Sequence, residues 1–488
     1  MKHHVTTGVS LLASAALLAA TLVGPPVADA LAATLAVPTL IGNHMVLQRD
    51  KADPIWGTAA AGATVTVRFN RYTVLTTAAA NGRWRLNLPR MPAATSPGGL
   101  TITSGRERLR FTDVQVGEVW GCSGQSNMNL SLANSTGGSA AAADARNHDI
   151  RLFSAPETTT PNQVRWTVSN RTTANAFSAV CYYFGRELAQ NLKVPIGLIQ
   201  STKGGTYIEE WTHASGGRCT SMLLAREEAP RQVGRLFDTK IKPLMPYAIR
   251  GFTWYQGEND SRDCAAVYLR KLQGLIDEWR AAWGEGDFPF GIVQLPFGRT
   301  PGTQAAQMQA FLTVPSTFLA VTTDLPILGG TALHPANKKP IGIRLAIGAR
   351  SIVYGEPIEP MGPIPDPTRS FVKGNTVIIG FTHLGGGLVT GSMWQPAGAP
   401  APFTLAGPSG GFHPATAKIV GRTVEVTSRF VPTPVQVRYT WWRDGRGNLY
   451  SAVRIPIQGR KVTYTRLPAS PFEMTLGTGN LGRQPAPL

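Results

Sequence analysis

Between about residues 116 and 355, strand-like apolar runs alternate with helix-period stripes, and this alternation constrains the fold more than any other feature of the chain. Val114–Trp120 reads as a strand. Phe177, Cys181, Phe184, Leu188 and Leu192 then recur with the spacing of one helix face. Strand-like sequence returns at Val194–Gln200 and Gly251–Tyr255, followed by a second helical stripe of Tyr268, Leu272, Ile276, Trp279 and Trp283. Phe290–Leu295 and Thr317–Thr323 read as further strands. A chain that alternates in this way builds a parallel sheet with helices on both faces.

The flanks lack any helical period. Residues 31–115 read as an N-terminal β domain: Thr64–Phe69 and Arg83–Leu88 alternate, with Asn81-Gly82 as a hairpin signal between strands. Residues 356–488 read as a C-terminal β region, with strands at Val377–Ile379, Val424–Val426 and Val435–Tyr439 and a turn at Asp444-Gly445. The 52 glycines and 37 prolines suit such turn-rich ends. The expected organisation is therefore an α/β core over 116–355 between two accessory β regions.

Residues 1–30 have the three-part layout of a secretory signal peptide. Lys2, His3 and His4 precede the apolar run Val9–Val23, and the small-residue site Ala28-Asp29-Ala30 follows. No later run is long and apolar enough to cross a bilayer, so an exported chain without an integral membrane segment is expected. Losing Lys2 and Asp29 with that segment leaves the net charge of +18 unchanged. Such an excess favours acidic partners, or is simply a solvated basic surface. The cations are scattered, with no dense basic run interleaved with aromatics, so nucleic acid is not an expected partner.

Four cysteines permit two disulfides. Cys219 and Cys264 lie in polar loop sequence and make the better pair. Cys122 and Cys181, set in apolar strand and helix sequence, are expected as buried thiols. No Cys/His spacing suggests a metal, and no cofactor motif is evident.

Reactive groups of an α/β sheet collect at the carboxyl ends of its strands, and three such ends carry polar, glycine-containing sequence. In Val119–Met128, small residues lead from a strand to Ser126, where a hydroxyl would stand clear of the sheet beside free N–H groups. Gln200–Thr206 contains Gly204-Gly205, whose N–H groups a substrate oxygen could approach. Trp254–Asp260 brings the amides Gln256 and Asn259 and the acids Glu258 and Asp260. Of the eight histidines, His334 closes the last strand–loop–helix unit, with Pro335 expected in the first helical turn.

Together GQSNM at 124–128, GGT at 204–206, WYQGEND at 254–260 and HPANKKPIGIRLA at 334–346 resemble the sialate O-acetylesterase group of SGNH hydrolases. Met45–Asp50 and the β region ending Asn448-Leu449-Tyr450 look like that group too, so the resemblance covers nearly all of the chain beyond residue 30. It implies an SGNH-type sheet with sandwich or jelly-roll-like regions at both ends. It also implies an enzyme without metal or cofactor that removes acetyl groups from sugars: sialic acids first, acetylated xylan or other polysaccharides as the alternative. Ser126 would be the nucleophile and His334 its base. The Ser126 and Gly205 N–H groups would form the oxyanion hole with Gln256 or Asn259, Gln256 being favoured. The superfamily usually places an aspartate three residues before the histidine, where this chain has Thr331. Either Asp324 or a backbone carbonyl of residues 329–331 would then orient the ring. That substitution keeps a glycan-binding protein on a disabled hydrolase core in view. A glycosidase using Glu258 and an aspartate is a weaker rival.

Overall fold

The computed structural model describes residues 34–145, 147–155, 164–217, 232–261, 263–295, 301–441, 445–455 and 463–476. The signal-like segment 1–30, Cys219 and Asp444 lie outside them.

The fold is mixed α/β. Its central sheet is built from β1 (Glu107–Gly124), β2 (Asn147–Ser154), β3 (Thr167–Ser169), β4 (Ile196–Thr202), β5 (Gly251–Tyr255), β6 (Phe290–Val293) and β7 (Thr317–Ala320). Their order is β7-β6-β5-β1-β4-β2-β3. Every neighbouring pair is parallel except the edge pair β2–β3. β4, β5, β6 and β7 are buried on both faces, as continuous apolar runs require.

Four helices cover the sheet: α1 (Ala179–Leu192), α2 (Ala265–Trp283), α3 (Pro301–Thr313) and α4 (Lys339–Ile352). α1 and α4 share a core with Trp120, Cys122 and Leu198. α2 and α3 pack on the opposite face with Val119, Ile199, Phe252 and Trp254. Both helical stripes read in the sequence are present. α1 starts where the Ser178 hydroxyl accepts from the Cys181 N–H, and α2 ends on Gly284 in the left-handed conformation, φ 71°.

α3 has no clear apolar stripe, because two of its inward side chains are polar. Gln304 donates to the Leu295 carbonyl at 2.9 Å, and Gln307 accepts from the Leu295 N–H at 2.9 Å and donates to the Gln256 carbonyl at 3.0 Å. They satisfy strand-end backbone that would otherwise be buried without partners. α4 begins at Lys339, with Pro340 in its first turn. The expectation for Pro335 is thereby corrected: it forms an isolated bridge with Gly330 before the helix.

β1 is 18 residues long and runs through two layers. Its first part pairs with Ala94–Ser104 and Val46–Gln48, and Thr64–Phe69 and Tyr72–Thr77 extend that β layer. The Asn81-Gly82 turn forms, but no ladder joins its two flanking strands. Tyr72–Thr77 pairs with Thr64–Phe69, and Arg83–Leu88 with Asp53–Thr58. A seven-stranded sheet and a three-stranded sheet, all of their pairings antiparallel, make up the C-terminal region around a separate apolar core. No helix among the described residues is long and apolar enough to cross a membrane.

The cysteine expectation needs correction. Cys122 and Cys181 are joined, with S–S 1.98 Å and Cα–Cα 5.9 Å. Their apolar surroundings are one and the same core, since β1 lies directly against α1. Cys264 is also disulfide-bonded.

Candidate active site

The register of the sheet assembles the site. Gly124 at the end of β1 lies opposite Thr202 of β4 and Tyr255 of β5, so the three strand ends coincide. Gly124 has φ 134°, and a Cβ there would meet the Tyr255 carbonyl oxygen at 2.2 Å; the close crossing requires glycine. The loop after β4 is tied to the same point by the Lys203 N–H bond to the Gly124 carbonyl, 3.1 Å. Ser126 opens a one-turn helix, Ser126–Asn129, with Gln125 in extended conformation just before it. As the first helical residue its N–H has no partner within the helix. Gly204 lies beside it: an added Cβ there would be in ordinary contact with the Ser126 Cβ, at 3.5 Å.

The histidine arrives from the segment between β7 and α4. His334 Nε2 stands 2.8 Å from Ser126 Oγ, across 208 residues of sequence. A tight turn sets the backbone of His334: its N–H donates to Thr331 Oγ1 at 3.0 Å, and the Thr331 N–H donates to the His334 carbonyl at 3.1 Å.

A buried amide connects the two partners. The Asn127 side chain donates to the Leu333 carbonyl at 2.9 Å and to Glu258, and accepts from Lys338 Nζ at 2.5 Å. One residue beside the serine thus grips the residue before the histidine, the start of α4 and the loop after β5. Burial pulls the Lys338 ammonium down to about 7, with Glu258 opposing.

The scan of family models matches residues 116–348 to the carbohydrate esterase, sialic acid-specific acetylesterase family. Sialate O-acetylesterase of Pongo abelii is 32% identical over 386 residues, covering 67% of this chain and 72% of that protein. The Homo sapiens sialate O-acetylesterase is 31% identical over the same shares. A carbohydrate acetylesterase structure from Xanthomonas citri superposes with TM-score 0.77 at 31% identity, covering 90% of this chain and 99% of that one. This chain belongs to the sialic acid-specific acetylesterase family. It is a carbohydrate O-acetylesterase, an ester hydrolase.

Within this esterase the remaining sequence candidates divide. Gly205 lies in the turn beside Ser126, with φ 72°. Asn259 is half-buried, and its amide makes no hydrogen bond among the described residues. Gln256, favoured by the sequence, is fully buried and both of its amide hydrogens are used: one on the Thr206 carbonyl at 3.2 Å, the other on Asp260. Tyr268 donates to its oxygen at 3.0 Å. Gln256 thus ties the loop after β5 to the loop after β4.

Asp324 is not brought to the histidine. Its two oxygens take a forked pair of bonds from Arg344, each 2.7 Å, and Tyr450 donates to one of them at 3.2 Å. The acids of the glycosidase reading are engaged elsewhere. Glu258 binds Asn127, and Asp260 receives Gln256 and the Ile208 N–H. Lys271 sits over Glu209 and, at 2.6 Å, Asp263. Glu209, Asp260 and Asp263 form a cluster of metal-ligand type, and the Lys271 ammonium bonds to two of its three members.

The sequence reading missed Asn127 and Lys338. Both lie inside quoted motifs, GQSNM and HPANKK, yet only burial of polar residues beside Ser126 and His334 would have singled them out.

Proposed function

We propose that this esterase works by serine acyl transfer on an SGNH-type scaffold, with Ser126 as nucleophile and His334 as base. The 2.8 Å approach of His334 Nε2 to Ser126 Oγ carries the reading. Ser126 Oγ attacks the acetyl carbonyl and His334 Nε2 takes its proton. The oxyanion receives the N–H groups of Ser126 and Gly205 and the amide of Asn259. His334 returns the proton to the departing sugar hydroxyl, and water activated by the same nitrogen hydrolyses the acetyl-enzyme. Each preorganised donor contributes on the order of 3 kcal/mol to lowering the barrier.

Thr331 stands where the superfamily usually has an aspartate, and its turn with His334 fixes the backbone that carries the imidazole. Asp324 serves instead to hold α4 and the C-terminal region.

O-acetylated sialic acid is the proposed substrate, supported by the family and by a net charge of +18, which suits an anionic sugar. The carbohydrate acetylesterase from Xanthomonas citri, which matches over nearly its whole length, supports a polysaccharide acetyl ester as the second reading. Export through the 1–30 segment fits either. Turnover of an acetyl ester by the wild type, lost in Ser126→Ala and His334→Ala, tests the mechanism; full activity of either variant would refute it. Comparing kcat/KM on 9-O-acetylated sialic acid and acetylated xylo-oligosaccharide decides the substrate.

A further inference from the structure

A cleft of about 740 Å³ opens where the α/β core meets the C-terminal β region. Asn337 and Lys339, just beyond His334, form one wall together with Arg344 of α4, and Met393, Trp394 and Arg466 form the other. The volume is that of an ordinary ligand site. It shares Thr136 and Leu328 with a neighbouring hollow lined by Gly329 and Gly330. Together the two hollows touch the segment that carries His334 on either side of it in sequence, at residues 328–330 and at Ala336, Asn337 and Lys339.

Three properties define what would fit. Asn337 is 4% exposed, and its Nδ2 has no hydrogen-bond partner among the described residues, so a buried donor faces this wall unsatisfied. Three cations line the cleft and no aspartate or glutamate does. Asp324 neutralises Arg344, but Lys339 has no ion pair among the described residues, and Arg466 binds only the carbonyls of Thr390 and Gly391. Met393, 83% exposed, stands next to Trp394 and supplies an apolar surface on which the C–H face of a sugar ring can lie.

We propose that this cleft is a subsite for a carboxylate-bearing sugar of the glycan whose acetyl ester is cleaved at Ser126. The proposal rests on the esterase reading above. The carboxylate sits between Lys339 and Arg466, a ring hydroxyl or carbonyl accepts from Asn337, and the ring lies on Met393 and Trp394. The cleft would also give the C-terminal region a share in choosing the substrate.

The test uses the full chain, an acetylated oligosaccharide containing uronic acids, its carboxyl-reduced neutral counterpart, and 4-nitrophenyl acetate. In Lys339→Ser and in Trp394→Ala, kcat/KM on the acidic oligosaccharide, relative to that on 4-nitrophenyl acetate, should fall about tenfold (about 1.4 kcal/mol). For the lysine variant the neutral counterpart should change much less. An unchanged ratio in both variants overturns the subsite, and an equal fall on acidic and neutral chains overturns the carboxylate. Calorimetric binding of the acidic oligosaccharide to Ser126→Ala, with and without Lys339→Ser, reads the cleft without turnover. A weakened affinity there supports the subsite even if ester hydrolysis proves independent of Ser126, and an unchanged affinity overturns it.

Discussion

Two buried polar networks hold the segment from Asp324 to Lys338, and they are built differently. At its start Asp324 meets Arg344 in a matched fork, and Tyr450 and Gln395 of the C-terminal region close the group, Gln395 donating to the Asp324 carbonyl at 2.8 Å. Burial, then the charge of Asp324, push the Tyr450 hydroxyl up, so it stays protonated and donates. Charge meets charge directly, and the result is an anchor. At the other end a neutral amide stands at the centre: Asn127 reaches Lys338, Glu258 and the Leu333 carbonyl from the residue next to the nucleophile. That network transmits position to the Ser126–His334 contact. The loop that carries His334 is thus held at both ends, by a charged fork at one and a neutral amide at the other.

The largest expected effect comes from Asn127→Ala. Cutting the tie between the serine and histidine loops should lower kcat by roughly 10- to 100-fold, as a misplacement of about 1 Å does, with little change in KM. Steady-state kinetics check it, and a near-normal kcat would show that the loops hold their register without this amide. Asp324→Asn should act on the fold instead. It leaves the Arg344 charge buried without its partner, a cost of about 3–5 kcal/mol read by denaturant unfolding, while kcat per folded molecule changes only a few-fold. The opposite pattern, intact stability with a collapsed kcat, would return Asp324 to the ring.

Lys338 sharpens the comparison through pH. In the unfolded chain its ammonium keeps the proton to about its ordinary 10.5, whereas in the folded protein it loses the proton near 7. Between those values the unfolded state binds more protons, so this residue makes stability rise with pH across that window. Relative to Lys338→Met, the wild type should therefore gain stability from pH 7 towards 10; parallel curves would contradict the burial argument. On kcat per folded molecule the smallest effect is expected from Gln256→Glu, although the new carboxyl meets Asp260 and the Thr206 carbonyl in a buried place and lowers stability. If Gln256 only braces the loop, the loss of activity follows the loss of stability and the pH profile keeps the wild-type shape; a changed profile would return Gln256 to the oxyanion site.

Much of this architecture was readable from periodicity. The β4, β5 and β6 strands and the α1 and α2 stripes stand out because apolar side chains set their period. α3 escaped because Gln304 and Gln307 face inward to satisfy strand-end backbone, which erases the stripe. The Cys122–Cys181 bond escaped because apolar context was read as a reason for free thiols, when it marked two elements sharing one core. At the site, the meeting of Ser126 and His334 was legible from strand-end chemistry and motif order. The bonds of the Gln256 amide to the Thr206 carbonyl and Asp260 were not legible, since they depend on how two loops pack. Asp324 looked available only because its partner Arg344 lies 20 residues on, in a helix whose rotation no short motif reveals.

The most direct measurement is peptide mass spectrometry after treatment with a fluorophosphonate. A serine activated by His334 should be modified at residue 126 in the wild type and left unmodified in His334→Ala. Modification of some other serine, or equal labelling with and without the imidazole, would contradict the account.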